Sequence, residues 1–298
     1  MNLIINKYKL ILIVVLITSN LLVLSQQKVN VITKTIKKDL KQSTKSLVVK
    51  GEKASININP CDKDYFSVEI KLVSKNPNKK DAETDINIIK YEIVENNGEC
   101  LLKNYFASEK FGNVKSNLSA IYTINVPRNA KLDITNIYGN VYINNLNAVI
   151  KLKNSFGEIH ISDMKGKQWL NAYYSDVYAK NLDLDLVCVT DKSNIEMINV
   201  SGTIVINSNY GNLRFAPGNE LLSLEVDSKR TTVSFESNTL NKYNFALSTI
   251  YSNIELPNQW SKKITKESGA LLFKQINNPA NALIKIKTTY CQISIINK

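Results

Sequence analysis

One short phrase, returning at an almost fixed interval, constrains what this chain can fold into more than any other feature. Its first clear copy is NIYGNVYI, from Asn136 to Ile143, followed by NSFGEIHI at Asn154, YYSDVYA at Tyr173, KSNIEM at Lys192 and NYGNLRF at Asn209. Further copies read RTTVSF at Arg230, YSNIEL at Tyr251, SGALLF at Ser268 and YCQISI at Tyr290. Counted at the aromatic position, the copies fall at 138, 156, 174, 192, 210, 230, 251, 268 and 290; the first four steps are 18 residues and the later ones 17 to 22. A unit this short cannot bury its own apolar face and gains a core only by stacking on copies of itself.

Within a unit the apolar residues alternate with period two, the signature of a strand. Upstream pairs such as Leu132 and Ile134, Ile150 and Leu152, and Ile204 and Ile206 precede the aromatic by six and four residues. The inward set then runs through the aromatic itself and resumes three and five residues later, so one residue is inserted. It coincides with Gly139, Gly157, Ser175, Ser193, Gly211 and Ser252, small residues that suit a corner. The spacing predicts an all-β, single-stranded β-solenoid of about nine coils of 17–22 residues, preceded by an irregular β capping region. Tyr138, Phe156, Tyr174, Tyr210, Tyr251 and Tyr290 would form an aromatic ladder inside the coil or lining its corner. Asn136, Asn154, Thr190, Ser208, Thr249 and Thr288 would form a buried polar one. A β-sandwich of hairpins is the alternative; the constant step favours the solenoid.

The remaining organisation follows from the flanks. Lys7, Lys9 and the apolar run Leu10–Leu24 read as a signal peptide over residues 1–25, cleaved after Ser25. An uncleaved anchor is the alternative, but the run falls short of the roughly 20 residues a bilayer needs. The first cysteine is Cys61, so none follows the run for lipid attachment. Residues 26–45, rich in Lys and Thr, read as a flexible leader, 46–130 as an N-terminal β region of capping or opening coils, and 131–298 as the solenoid. The expected location is the periplasm, the cell surface or the medium, with no transmembrane segment in the mature chain.

The formal charge is +12, from 38 basic and 26 acidic residues, but only Arg128, Arg214 and Arg230 are arginines. Specific nucleic-acid readers lean on Arg for bidentate contacts, so no such partner is expected. Four cysteines in an exported chain invite disulfides. Counted along the sequence, five coils separate Cys188 from Cys291, roughly 24 Å against a Cα reach of about 7 Å. Cys61 and Cys100, both upstream of the repeats, remain as a candidate pair.

The run AIYTINVPRNAKLDITNIYGNVYI, Ala120 to Ile143, resembles the bacterial "putative adhesin" domain family, exported β-solenoid proteins of the cell envelope in Bacteroidetes-type bacteria. The upstream stretches SININPCDKDYFSVEIKLVS (from Ser55) and AETDINIIKYEIVENNGECLLKNYF (from Ala82) resemble that family's opening strands. The resemblance implies an envelope-exposed or secreted solenoid, with adhesion as the assumed role and no catalytic residues to carry over. Lys192 and Arg230, cations where the family pattern has an aromatic, mark coils expected to be distorted.

Chemistry is sparse. The chain has one histidine and none of the motifs HExxH, CxxC, GxSxG or a phosphate-binding loop, so no catalytic residue, cofactor or metal site is expected and the chain reads as a non-enzyme. Asp183 and Asp185 share a strand face, but no acidic partners recur in neighbouring units. The surface feature that stands out is the row four residues after the corner: Tyr142, His160 and Tyr178 would stack outward in successive coils as a ligand-contact surface for a glycan or cell-surface protein. Ordinary cross-strand pairing explains the same row. The alternative function is binding of acidic polysaccharide or lipid headgroups through outward lysines such as Lys151 and Lys153. The C-terminal coil, lacking an obvious cap, is the expected edge for self-association.

Overall fold

Extended backbone runs through each repeat and pairs, parallel and in register, with the same residues of the repeat beside it. The computed structural model describes residues 28–107 and 114–298; the expected signal peptide lies outside the described residues. In chain order the first elements are β1 (Asn30–Asp39), β2 (Ser46–Glu52), β3 (Ala54–Cys61), β4 (Ser67–Asn76), the short helix α1 (Lys79–Asp85), β5 (Ile89–Asn96), β6 (Glu99–Phe106) and β7 (Asn117–Pro127). The repeats follow as β8 (Lys131–Ile137), β9 (Val141–Asn144), β10 (Asn147–Asp191) and β11 (Ile195–Ser237). The chain closes with β12 (Tyr243–Ile250), β13 (Ile254–Glu255), β14 (Thr265–Glu267), β15 (Ala270–Gln275), β16 (Ala282–Thr289) and β17 (Ile293–Asn297).

Lys131 lies beside Val149, Tyr142 beside His160, and Val177 through Asp191 beside Ile195 through Asn209, an offset of 18 residues each time. This parallel pairing excludes the hairpin sandwich, whose adjacent strands would run antiparallel. Alternate residues point inward and are sealed: Leu132, Ile134, Val141, Ile143 and Leu146 are at most 2 % exposed. The result is an all-β, solenoid-like fold with one apolar core running the length of the stack.

The corner lies one residue earlier than the small-residue pattern indicates. The backbone is left-handed at the aromatic position itself, with φ of 62° at Tyr138, 61° at Phe156, 51° at Tyr174, 53° at Lys192, 55° at Tyr210 and 54° at Arg230. An L-residue in that region costs about 1–2 kcal/mol. The turn throws the side chain outward, so the ladder lines the corner and does not enter the core: Tyr138, Phe156 and Tyr174 are about half exposed. Their rings stack at 5.0 and 5.1 Å between centroids. Lys192 then places its ammonium 4.6 Å from the Tyr174 ring centre and donates to the Tyr174 hydroxyl. Arg230 is held 5.1 Å from the Tyr210 ring and 5.3 Å from that of Tyr290. Stacked rings contribute about 0.5–1.5 kcal/mol and exposed cation–π contacts about 0.5–1 kcal/mol. Each contact is shared by two rungs, so about one per rung offsets much of the backbone cost. The coils of Lys192 and Arg230, expected to be distorted, keep the common φ because a cation against a tyrosine ring substitutes for a second ring.

A second corner, seven residues further on, uses Asn145, Asp163, Asn181 and Asn199, with φ of 53° to 57°. Asn and Asp tolerate this conformation best among residues with a side chain. They also join across coils: the Asn181 amide donates to Asp163 at 2.9 Å and the Asn199 amide to Asn181 at 3.0 Å.

Behind the first corner runs the buried polar column. Asn136 donates to Asn154 at 3.1 Å, Asn154 to the Ser175 hydroxyl at 3.2 Å, Thr190 to Ser208 at 2.9 Å, and Thr288 to Thr249 at 2.8 Å. Each of these residues is at most 5 % exposed. Where Ala172 interrupts the column, Ser175 and Ser193 fill in from the corner, with the Ser193 hydroxyl accepting from the Ser175 N–H at 3.0 Å. A polar group sealed in a core is tolerable only with such partners.

Both ends depart from the order of the chain. At the first end, β2 and β3 already form a coil, turning at Lys53 (φ 48°) beside the corner of Tyr138. The coil of β6 and β7 follows it in sequence yet packs on its outer side, β6 on β2 and β7 on β3. Antiparallel strands finish that end: β5 on β6, β4 on β7, and β1 on β4. The segment 26–45, expected as a flexible leader, thus contains an ordered strand. Ile32 and Ile36 pack against the core, Lys34 and Lys38 share their face, and Thr33, Thr35 and Lys37 occupy the other.

At the opposite end, β16 and β17 insert between units that precede them. β16 pairs with β11 on one side (Asp227 beside Lys287) and with β12 on the other (Ser248 beside Lys287). Tyr290 accordingly lies between Arg230 and Tyr251, stacking on the latter at 5.1 Å. The C-terminal coil is therefore not the open edge expected for self-association. β12 is covered by antiparallel β15, and β15 by β14, which removes the parallel edge the last unit would otherwise present. Ion pairs clamp the inserted unit: Lys285 to Glu225 at 2.6 Å, and the chain-terminal Lys298 to Glu236 at 2.6 Å. The separation of Cys188 from Cys291 is correspondingly smaller in space than their separation along the chain.

Two outcomes follow from this packing. Gly202 has φ of 91°, and a Cβ there would stand 2.2 Å from the carbonyl oxygen of Leu184. Gly202→Ala is expected to destabilise the fold by about 2–5 kcal/mol in urea unfolding. Glu236 receives Arg214 Nε and Nη2, each at 2.9 Å, together with Lys298, and Arg214 first among them lowers its pKa. Its folded-state pKa then lies below the unfolded value of about 4.3, so its stabilisation is full above that pH and is lost as pH falls through the lowered value. The stability gap between the parent chain and Glu236→Gln should therefore shrink on acidification below about pH 4.3, as read by urea unfolding across pH.

Candidate functional site

The strand after the first corner presents three outward rows, because alternate side chains leave the sheet and the same register recurs in every coil. Two residues past the corner stand Asn140, Glu158, Asp176, Asn194 and Asn212. Four past it stand Tyr142, His160, Tyr178, Glu196 and Arg214, and six past it Asn144, Ser162, Lys180 and Ile198.

The middle row brings the expected residues together. Tyr142 and His160 stack at 4.9 Å with 15° between ring planes, and His160 and Tyr178 at 4.8 Å with 18°. Ring faces meet one another along the stack axis, so edges and hydroxyls point to solvent. A groove of about 390 Å³ runs beside this wall, with Asn144, Ser162 and Lys180 on its far side. Glu158 holds the wall in place: its Oε2 lies 2.9 Å from His160 Nε2, and its N–H donates to Asn140 at 3.0 Å. Asp176 accepts from the Asn194 N–H at 2.8 Å. Partial burial, then Asp176, Glu158 and Glu196, raise the Tyr178 pKa above the ordinary tyrosine value.

The row of Glu158, Asp176 and Asn194 was not singled out from sequence, although its polar residues recur at the same 18-residue step as the aromatics. The other candidates are dispersed. Cys61 and Cys100 do not pair; all four cysteines are free. Cys100 lies beside Leu47 and is fully buried in the core, where burial pushes its thiol up to about 11. Cys61 ends β3 beside Pro127, with its thiol directed at the Lys63 and Tyr65 carbonyls of its own turn. Cys188 is wholly enclosed, its thiol pushed up to about 12 by burial. Asp183 forms an ion pair with Lys165 at 3.2 Å. Lys151 and Lys153 lie exposed on the other strand face, the Lys153 ammonium 5.6 Å from the Tyr173 ring centre. Among the described residues no group of His, Cys, Asp and Glu could hold a metal ion, and no helix is long and apolar enough to cross a membrane.

No curated protein matches the chain. Among solved structures it is similar to a "putative adhesin" from Bacteroides fragilis, at 14 % identity over 88 % of this chain and 97 % of that one, with a TM-score of 0.46. A "putative lipid binding protein" from Parabacteroides distasonis matches at 14 % identity over 88 % and 96 %, TM-score 0.46. A "putative adhesin" from Parabacteroides merdae matches at 10 % identity over 88 % and 95 %, TM-score 0.37. The model of the Toastrack DUF4097 family matches residues 44–295, nearly the whole stack from β2 to β17, and the chain belongs to that family.

Proposed function

We propose that this chain is an exported, non-enzymatic, adhesin-like protein of the cell envelope that engages a glycan on the outward rows of its middle coils. The observation that carries the reading is the Tyr142–His160–Tyr178 wall standing beside an open groove, flanked by Asn140, Glu158 and Asp176 on one side and by Asn144, Ser162 and Lys180 on the other. Aromatic edges with hydrogen-bonding neighbours suit a polyhydroxylated ligand lying along the stack axis. Repetition along that axis suits a polymer, since each coil offers the next unit a similar set of contacts.

A second reading rests on Lys151 and Lys153, exposed on the opposite strand face and free of ion pairs among the described residues, which would attract acidic polysaccharide or lipid headgroups. The two differ in salt response, because screening weakens contacts to a polyanion far more than contacts to a neutral sugar. Tyr142→Ser combined with Tyr178→Ser is expected to leave the β circular-dichroism spectrum unchanged and to lower attachment to glycan-coated surfaces. Unchanged attachment retires the aromatic row, and retention on a heparin column that Lys151→Glu with Lys153→Glu abolishes would favour the second reading.

A further inference from the structure

Beyond the Tyr178 end of the wall we propose a subsite for one uncharged pyranose ring; it rests on the glycan reading above and narrows it. One side of Tyr178 is taken by His160 at 4.8 Å. On the other side the next residue of the row is Glu196, a shorter side chain that supplies neither a ring nor a cation, unlike Lys192 beside Tyr174 or Arg230 beside Tyr210. The Glu196 carboxylate accepts from Arg214 Nη1, in the following coil, and is thereby drawn away from the ring. Past the Tyr178 ring this leaves a depression of about 350 Å³, floored by the Glu196–Arg214 pair and walled by Tyr178, Asn194, Asn212, Thr232 and Ser234.

The lining specifies the ligand. Asn212 donates its side-chain amide to the Asn194 side-chain oxygen at 3.0 Å, and among the described residues its own side-chain oxygen accepts no hydrogen bond. Among the described residues the hydroxyls of Thr232 and Ser234 likewise make no hydrogen bond. Three polar groups thus stand ready around a ring that has a partner on one side only. A pyranose matches this set: an apolar C–H face for the aromatic, and a rim of hydroxyls that both donate and accept. The two charged residues in the lining neutralise each other, and Glu236 and Lys298 extend that pairing. A uronic acid or phosphate would meet Glu196 with no free cation opposite, so the ligand carries no negative charge.

The test is calorimetric titration of the mature chain with cellohexaose, maltohexaose and chitohexaose, and with hexagalacturonate as the acidic counterpart. At least one neutral hexamer should bind, and Asn212→Ala with Ser234→Ala should weaken it roughly tenfold or more while the circular-dichroism spectrum stays unchanged. Binding of hexagalacturonate alone overturns the subsite, as does failure of all three neutral hexamers. Neutral binding that survives Asn212→Ala with Ser234→Ala but is lost in Tyr142→Ser overturns the subsite and leaves the aromatic row standing. Neutral binding indifferent to Asn212, Ser234, Tyr142 and Tyr178 alike overturns both.

Discussion

Everything in this molecule depends on identical positions lying directly beside one another in successive coils. In-register parallel pairing puts like residues about 4.8 Å apart, so any side chain that stacks or hydrogen-bonds with a copy of itself is stabilised along the whole axis. The corner is where this matters most. Tyr138, Phe156 and Tyr174 hold the backbone in a conformation that disfavours bulky L-residues, yet each carries a ring suited to resting on the next. Strain inside one coil is compensated by contact between coils. The turn is thus favourable only within the stack, and assembly of the stack depends on the turn.

The same rule sorts what could be read from the sequence. The 18-residue step, the inward pairs such as Leu132 and Ile134, the Asn136–Asn154 column and the stacking of Tyr142 on His160 were all legible, because each is periodic and local. For Tyr138 the sequence leaves the inside of the coil and its corner both open, because period-two alternation continues through it and is blind to the sign of φ that turns it outward. Lys192 and Arg230 looked like defects because a residue-type pattern cannot register that an ammonium or guanidinium stacks on tyrosine as another ring would. The opening coil of β2 and β3 was not distinguished from its neighbours, since Lys53 hides its corner and its neighbour in sequence is not its neighbour in space.

Coil order at the two ends could not have been read from spacing at all. Sequence periodicity says which residues are equivalent and nothing about which equivalents are adjacent. The choice is made by specific contacts: Lys285 with Glu225, Lys298 with Glu236, and Arg230 between Tyr210 and Tyr290. The consequence is functional as well as structural. With a non-sequential coil and antiparallel strands at each end, the run of in-register parallel coils is finite, and the face bearing Tyr142, His160 and Tyr178 lies within it.

Cysteine cross-linking tests the placement of the last coil directly. In a background with the native cysteines replaced, Asp227→Cys with Lys287→Cys joins residues that are direct neighbours across β11 and β16. Asp227→Cys with Ser248→Cys joins residues two strand spacings apart, about 9.6 Å, beyond the roughly 7 Å a disulfide spans. Mild oxidation should close the first pair and leave the second open. A disulfide between residues 227 and 248, with none between 227 and 287, would mean that the coils stack in chain order and would contradict the architecture described.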